Sequence, residues 1–168
     1  MKIELSAWNQ DDILSLTQYA NNINVWNMLR DSFPYPYTQK NAQKWISLNL
    51  NANPTTNFSI KVDSEVAGAA GVLLKADIHC KNAEIGYWLG EPFWGRGIAT
   101  EAVRQLASHI FSNFDINRIY AEIFSNNPAS MKVLLKNGFH EEAIHQRAIF
   151  KNQHLLNAHI WVKFNPGN

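Results

Sequence analysis

The sequence predicts an α+β fold: one mixed, mostly antiparallel central sheet of about seven strands, flanked by about four helices. Three observations carry that expectation. Short apolar/polar alternations with period two recur along the chain, as in Phe58, Ile60 and Val62 against Ser59, Lys61 and Asp63. Other stretches hold apolar residues at helical spacing, most clearly Ala102, Val103, Leu106, Ala107 and Ile110. One strand-helix-strand run, Ala83 to Phe124, supplies the crossover that a parallel strand pair needs, whereas the other neighbouring strands are close enough in sequence for antiparallel hairpins.

The elements follow in chain order. Ile3 and Leu5 alternate with polar residues as a short first strand, and Asn9 is placed to cap a helix whose first turn, Gln10-Asp11-Asp12, is acidic and suits the macrodipole. A short helical stretch around Ile23 to Leu29 comes next. Phe33-Pro34-Tyr35-Pro36-Tyr37-Thr38 cannot be helix interior, since each proline removes a donor and drives its predecessor toward extended geometry; it reads as a rigid aromatic loop. Thr38 caps a helix carrying Ala42, Trp45, Ile46 and Leu50. Asp63-Ser64 turns a hairpin between the Phe58 strand and Val66 to Leu74. The Ala83 to Leu89 strand has Gly86 in its middle, which predicts a bulge or a close backbone approach. After the long helix, Arg118 to Phe124 is a strand, Asn127-Pro128 opens a helix that Gly138 closes, and two strands about Phe139 to Phe150 and Leu155 to Phe164 finish the chain.

Composition narrows the function classes. The 168 residues suit one domain, residues 1–168, and 46% apolar content against 17% charged argues for a packed globule rather than disorder. A net charge of +1 without a Lys/Arg stripe offers no footprint for a phosphate backbone, so no direct nucleic-acid partner is expected. The lone Cys80 cannot close an intrachain disulfide, Met1 to Asp12 has no basic segment followed by an apolar one, and Val66 to Leu74 is too short to span a bilayer. A cytoplasmic location with no membrane partner is the expectation. The six histidines lack metal-ligand spacing and no second thiolate exists, so no metal is expected.

The sharpest local signal is Trp94-Gly95-Arg96-Gly97-Ile98-Ala99, a glycine-rich turn between a strand and a helix. At such a helix start, backbone N–H groups point outward with the dipole behind them, which favours a phosphate. A tight turn without a ligand would use the same residues, and the turn has neither a Walker ending nor a dinucleotide fingerprint.

These residues resemble the acetyl-CoA signature of the GNAT acetyltransferases, Gln/Arg-x-x-Gly-x-Gly/Ala, with Trp94 replacing the usual first residue. Together with Glu84-Ile85-Gly86-Tyr87-Trp88-Leu89, Pro92-Phe93, Thr100-Glu101-Ala102, Phe33 to Thr38, Trp45-Ile46, Asn126, Ser130, Asn137-Gly138-Phe139, Arg147 and Phe150, the stretch looks like the ribosomal-protein N-terminal acetyltransferases of the RimJ/RimL type. The resemblance implies a parallel strand pair splayed at the cofactor site, Ala83 to Leu89 and Arg118 to Phe124. Tyr87, Trp88 and Leu89 would run along the pantetheine, with Trp94, Gly95, Arg96, Gly97, Ile98, Ala99 and Thr100 at the phosphates and Asn126 touching the cosubstrate or merely capping the next helix. Acetyl-CoA is the implied cosubstrate.

Acetylating an amine requires that the attacking nitrogen be neutral and that its proton be accepted. Glu84 occupies the position of the family's proposed base; an ion-paired strand carboxylate is the plainer alternative. The resemblance also implies that a main-chain N–H near Trp88 or Leu89 donates to the thioester oxygen as it becomes an oxyanion. The region where many members of that family carry an acidic tyrosine reads Val133-Leu134-Leu135-Lys136-Asn137 and holds none. Ser130 matches the serine of the RimL-like pattern, and the resemblance implies a hydrogen bond from it to the leaving sulfur; a helix-start residue is the plainer alternative. Phe33, Tyr35 and Tyr37 are expected at the acceptor side, or as core plugs, and Arg147 at an acceptor carboxylate, or in an ordinary ion pair. Trp8, Trp26, Trp45 and Trp161 read as packing. The expected activity is acetyl transfer to a primary amine in a ternary complex, with a protein or peptide N-terminus as acceptor and the chain acting as a monomer or homodimer. A small-amine acetyltransferase and a non-catalytic acyl-CoA sensor are the alternatives.

Overall fold

The computed structural model describes residues 1–167. Its seven strands are β1 (Ile3–Ser6), β2 (Asn57–Val62), β3 (Glu65–Leu74), β4 (Asn82–Leu89), β5 (Arg118–Phe124), β6 (His140–Lys151) and β7 (His154–Phe164), and its helices are α1 (Ile13–Ala20), α2 (Ile23–Trp26), α3 (Gln39–Asn49), α4 (Ile98–Asn113) and α5 (Pro128–Lys136). The strands form one sheet in the order β1-β2-β3-β4-β5-β7-β6. The β4–β5 pair is parallel, with register Asn82↔Arg118, Ala83↔Ile119 and Glu84↔Tyr120; β1–β2, β2–β3, β5–β7 and β6–β7 are antiparallel. This is the mixed α+β architecture that the periodicities predict.

Two compact units are distinguished among the described residues: residues 1–71 with 87–102, and residues 72–86 with those from 103 on. In the first, Asn9 forms a capping box with Asp12, but the turn Gln10–Asp12 is a 3-10 helix that precedes α1. Thr38 and Asn41 form a second capping box at α3. Asp63 and Ser64 both take positive φ, 48° and 77°, as a tight two-residue hairpin turn demands. Trp8, Leu16, Ala20, Tyr37, Ala42, Ile46, Val66 and Ala69 form the core cluster, with Ile13, Phe33, Leu50 and Trp88 against it. Burying each large side chain there is worth roughly 1.5–3 kcal/mol. Trp45, expected in packing, is instead 37% exposed, because α3 turns Ala42 and Ile46 inward and leaves Trp45 on the flank.

In the second unit Leu106 and Ile110 of α4, Ile119 and Ala121 of β5, Leu134 of α5, Phe139, and Ala158 and Val162 of β7 are buried. Asn127 caps α5 by accepting from the Ser130 amide at 3.2 Å. At its other end Gly138 has φ 76°, and the amides of Gly138 and Phe139 donate to Leu135 O and Leu134 O, a paired closure that satisfies the last carbonyls.

Gly86 is not a site of close backbone approach: a Cβ there would meet nothing within 4 Å. The close approach lies at Gly68, where a Cβ would stand 2.1 Å from Trp88 O, so only glycine lets β3 pass β4 at that point. Among the described residues no helix is long and apolar enough to cross a membrane.

Candidate active site

Glu84 sits on the β4 face opposite buried Ala83 and Ile85, because successive side chains alternate across a strand. Its Oε2 accepts from Lys75 Nζ at 2.7 Å and from the Tyr120 hydroxyl at 3.2 Å. The partners arrive by register: Tyr120 is the β5 residue paired with Glu84, and the Lys75 amide donates to Asn82 O at 3.0 Å, two residues before Glu84. Lys75 also lies 5.6 Å from the Tyr120 ring centroid, and Arg118, two pair positions earlier on the same strand, 5.0 Å from it. Arg118 donates to Asn82 Oδ1 at 3.2 Å and pairs with Glu142. The hydrogen bond with Glu84 is the main cause that holds the Lys75 ammonium above its ordinary pKa of 10.5, against a smaller opposing effect of burial. The carboxylate is therefore ion-paired, and it is also held in one orientation by two donors, one on β5 and one just after β3.

Other residues of the second unit fall as follows. Ser130 is half-buried in the first turn of α5, and the capping acceptor there is Asn127, not Ser130. Asn126 is exposed in the turn before that cap. Arg147 is exposed at a register shift of β6, with φ 53°, and its amide donates to Asn157 Oδ1 at 2.9 Å.

The first unit holds the glycine-rich turn. Gly95 and Gly97 have φ 73° and 77°, in the left-handed region where an L side chain costs about 1–2 kcal/mol. A Cβ on either would meet nothing within 4 Å, so the glycines are required by backbone conformation rather than by crowding. The first helical bond of α4 runs from the Glu101 amide to Gly97 O at 3.1 Å, so the amides of Ile98 and Ala99 precede the intrahelical ladder of a sixteen-residue helix. Gly95, Arg96 and Gly97 are exposed, Ile98 is buried, and Ala99 and Thr100 are intermediate. Open backbone, outward amides, a helix dipole and the Arg96 cation fit a phosphate-bearing ligand. Trp94 donates its indole N–H to Leu89 O at 2.8 Å, which ties the turn back to the end of β4.

Tyr87 and Trp88 are half-buried and Leu89 is buried. In the aromatic loop the three side chains have different fates. Tyr37 is 5% exposed and belongs to the core cluster, Phe33 is half-buried between Tyr37 (centroids 5.0 Å) and Trp88 (5.6 Å, edge-on), and Tyr35 is 45% exposed. Burial pushes the Tyr37 phenol up to about 12.

Sequence reasoning missed Lys75, Tyr120, and the anchoring role of Trp26, whose indole N–H donates to Phe33 O at 2.9 Å. A lysine just after a strand and a tyrosine third in another show nothing by themselves; the β4–β5 register brings Tyr120 to Glu84, and the Lys75 amide bond to Asn82 O brings Lys75. Among the described residues there is no group of three or more His, Cys, Asp or Glu able to hold a metal ion.

Residues 2–140 match the family model of the acetyltransferase (GNAT) domain. The chain belongs to the GNAT acetyltransferase family. It is 34% identical over 167 residues to the ribosomal-protein-serine acetyltransferase of Escherichia coli (strain K12), covering 96% of this chain and 92% of that relative. It is 35% identical over 102 residues to the uncharacterized N-acetyltransferase YoaA of Bacillus subtilis (strain 168), where the match spans 61% of this chain but only 57% of that relative. Among solved structures, RimL, a ribosomal L7/L12 alpha-N-protein acetyltransferase in complex with coenzyme A, superposes with a TM-score of 0.86 at 24% identity over 100% of this chain and 97% of the other. That likeness supports the GNAT fold for this chain.

Proposed function

We propose that the protein transfers an acetyl group from acetyl-CoA to the N-terminal α-amine of a protein or peptide by direct attack in a ternary complex. The observation that carries the reading is the Gly95/Gly97 turn, held at positive φ ahead of α4 with amides that precede the helical ladder. Main-chain N–H groups of residues 97–99 and Arg96 would hold the phosphates, Tyr87 to Leu89 the pantetheine, and Asn126 a further contact. The family's residue pattern and the full-length likeness to a ribosomal-protein-serine acetyltransferase support an N-terminal acceptor.

Acetyl-CoA is a substrate here, so the chain supplies orientation and proton handling. As the amine nitrogen bonds the acetyl carbon and the carbon–sulfur bond breaks, the electron pair leaves with sulfur and the nitrogen loses one proton. Glu84 accepts that proton, and the leaving thiolate takes one up, so the balance is amide plus free thiol. Ser130 donates a hydrogen bond to the sulfur. The reference pKa of an α-amine, about 7.7–8.0, against about 10.4 for lysine, makes the neutral nucleophile accessible near pH 7 with modest help. Phe33 and Tyr35 border the acceptor and buried Tyr37 backs Phe33, while Arg147 pairs an acceptor carboxylate.

Thiol release from saturating acetyl-CoA, with peptides beginning Ala, Ser or Met beside spermidine and free amino acids, tests the proposal. Turnover of the peptides supports it. Turnover of small amines alone, or coenzyme A binding without turnover of any acceptor, would sink it.

A further inference from the structure

The turn between α1 and α2 carries two adjacent asparagines that reach in opposite directions. Asn21 Oδ1 accepts from the Tyr37 amide of the aromatic loop at 3.0 Å. Asn22 Nδ2 donates to Glu91 Oε2 at 2.8 Å, while its Oδ1 caps α2 by accepting from the amides of Asn24 and Val25 at 2.8 and 3.2 Å. Asn24 Nδ2 completes the clasp with bonds to both Glu91 oxygens, 3.2 and 3.0 Å. Two side-chain amide groups thus make three hydrogen bonds to one carboxylate, and such charge-assisted bonds are the stronger and more directional kind. The bonds from Asn22 and then Asn24 hold the Glu91 carboxyl below its ordinary pKa.

Glu91 is joined rigidly to the glycine-rich turn. It opens the 3-10 turn Glu91–Phe93, and the Trp94 amide donates to Glu91 O at 3.1 Å. At the far end of α2, one helical turn away, Trp26 donates its indole N–H to Phe33 O at 2.9 Å and lies 5.8 Å from the Tyr35 ring. α2 is therefore a four-residue rod held at its start by Glu91 and at its end by the aromatic loop, with the Asn21 bond to Tyr37 in parallel. Neither Glu91 nor the asparagines have a place in the chemistry proposed above.

We propose that Glu91 is a positioning residue that couples the glycine-rich turn to the aromatic loop through Asn22, Asn24 and α2, so that filling the turn orders residues 33–38 for the acceptor. This rests on the reading that the turn binds coenzyme A and that the loop borders the acceptor. Coupling of this kind is reciprocal, so acceptor binding tightens the cosubstrate by the same factor. A direct apolar contact, Phe33 on Trp88, also links loop and β4, but it lacks the directional hydrogen bonds that fix α2.

Hydrogen exchange with and without coenzyme A separates these claims without an identified acceptor. Pro34 and Pro36 have no N–H, so the loop reports through Phe33, Tyr35 and Tyr37. In the wild type, coenzyme A should slow exchange at residues 97–101 and also, by about fivefold, at Phe33 to Tyr37. In Glu91→Ala the first protection should persist and the second disappear. The exchange Asn22→Asp with Glu91→Gln, which swaps donor and acceptor while keeping the α2 cap, should restore it. Protection of residues 97–101 alone in the wild type, or loop protection undiminished in Glu91→Ala, overturns the coupling. Absence of protection at residues 97–101 overturns the cosubstrate reading beneath it.

Discussion

Tyr120 and Glu84 face each other as a pair of the parallel β4–β5 ladder, and the phenol donates to Glu84 Oε2 at 3.2 Å. The same oxygen takes the Lys75 ammonium at 2.7 Å, with side-chain exposures of 27% for Lys75 and 15% for Glu84. A carboxylate so held has a defined direction, which is what a proton acceptor for a bound amine requires. The hypothesis that Glu84 is the base yields a specific expectation. Glu84→Gln should lower kcat about tenfold at pH 7, less than a full general-base effect because an α-amine near pKa 8 partly deprotonates unaided. The deficit should shrink toward pH 9 while the Kd for coenzyme A stays put. A variant with wild-type kcat at pH 7 leaves Glu84 a structural ion pair.

Lys75 supplies a second expectation, in stability. Its folded pKa is raised above 10.5, chiefly by the hydrogen bond with Glu84, so the pair's stabilisation is complete below that value and fades as pH climbs through the higher folded one. Urea midpoints of wild type and Lys75→Met should therefore differ by a constant amount across neutral pH and converge above pH 10.5. A gap that stays open at the alkaline end contradicts this origin.

Gly97 tests the turn. Its φ of 77° leaves ample room for a Cβ, so Gly97→Ala meets only backbone strain, about 1–2 kcal/mol by urea unfolding. Because relief of that strain swings the turn's amides away, coenzyme A affinity measured by calorimetry should fall as well. Unaltered affinity would mean that the amides here do not bind the phosphates.

Tyr37 gives an alkaline signature. Burial raises its phenol from 10.0 to about 12, so the unfolded chain releases this proton before the folded one, and stability falls as pH rises between those values. Tyr37→Phe should abolish the last-titrating step in absorbance at 295 nm and flatten that decline. A phenol step near 12 that survives in the variant assigns it elsewhere.

Much of this was legible in the sequence alone. The alternation of Phe58, Ile60 and Val62, the helical spacing of α4, the caps Asn9, Thr38 and Asn127, and the Asp63-Ser64 turn all rest on interactions among residues close in the chain, which local patterning encodes. The Gly95/Gly97 turn was legible for the same reason: its left-handed backbone is a local conformation, and glycine announces it. Tertiary structure alone decided the rest. The pairing of Glu84 with Tyr120 and Lys75, the clasp of Glu91 by Asn22 and Asn24, the burial of Tyr37 beside exposed Tyr35, and the close passage at Gly68 depend on which distant segments meet. Strand register and side-chain reach settle such meetings, and a side chain's own neighbours in sequence do not record them.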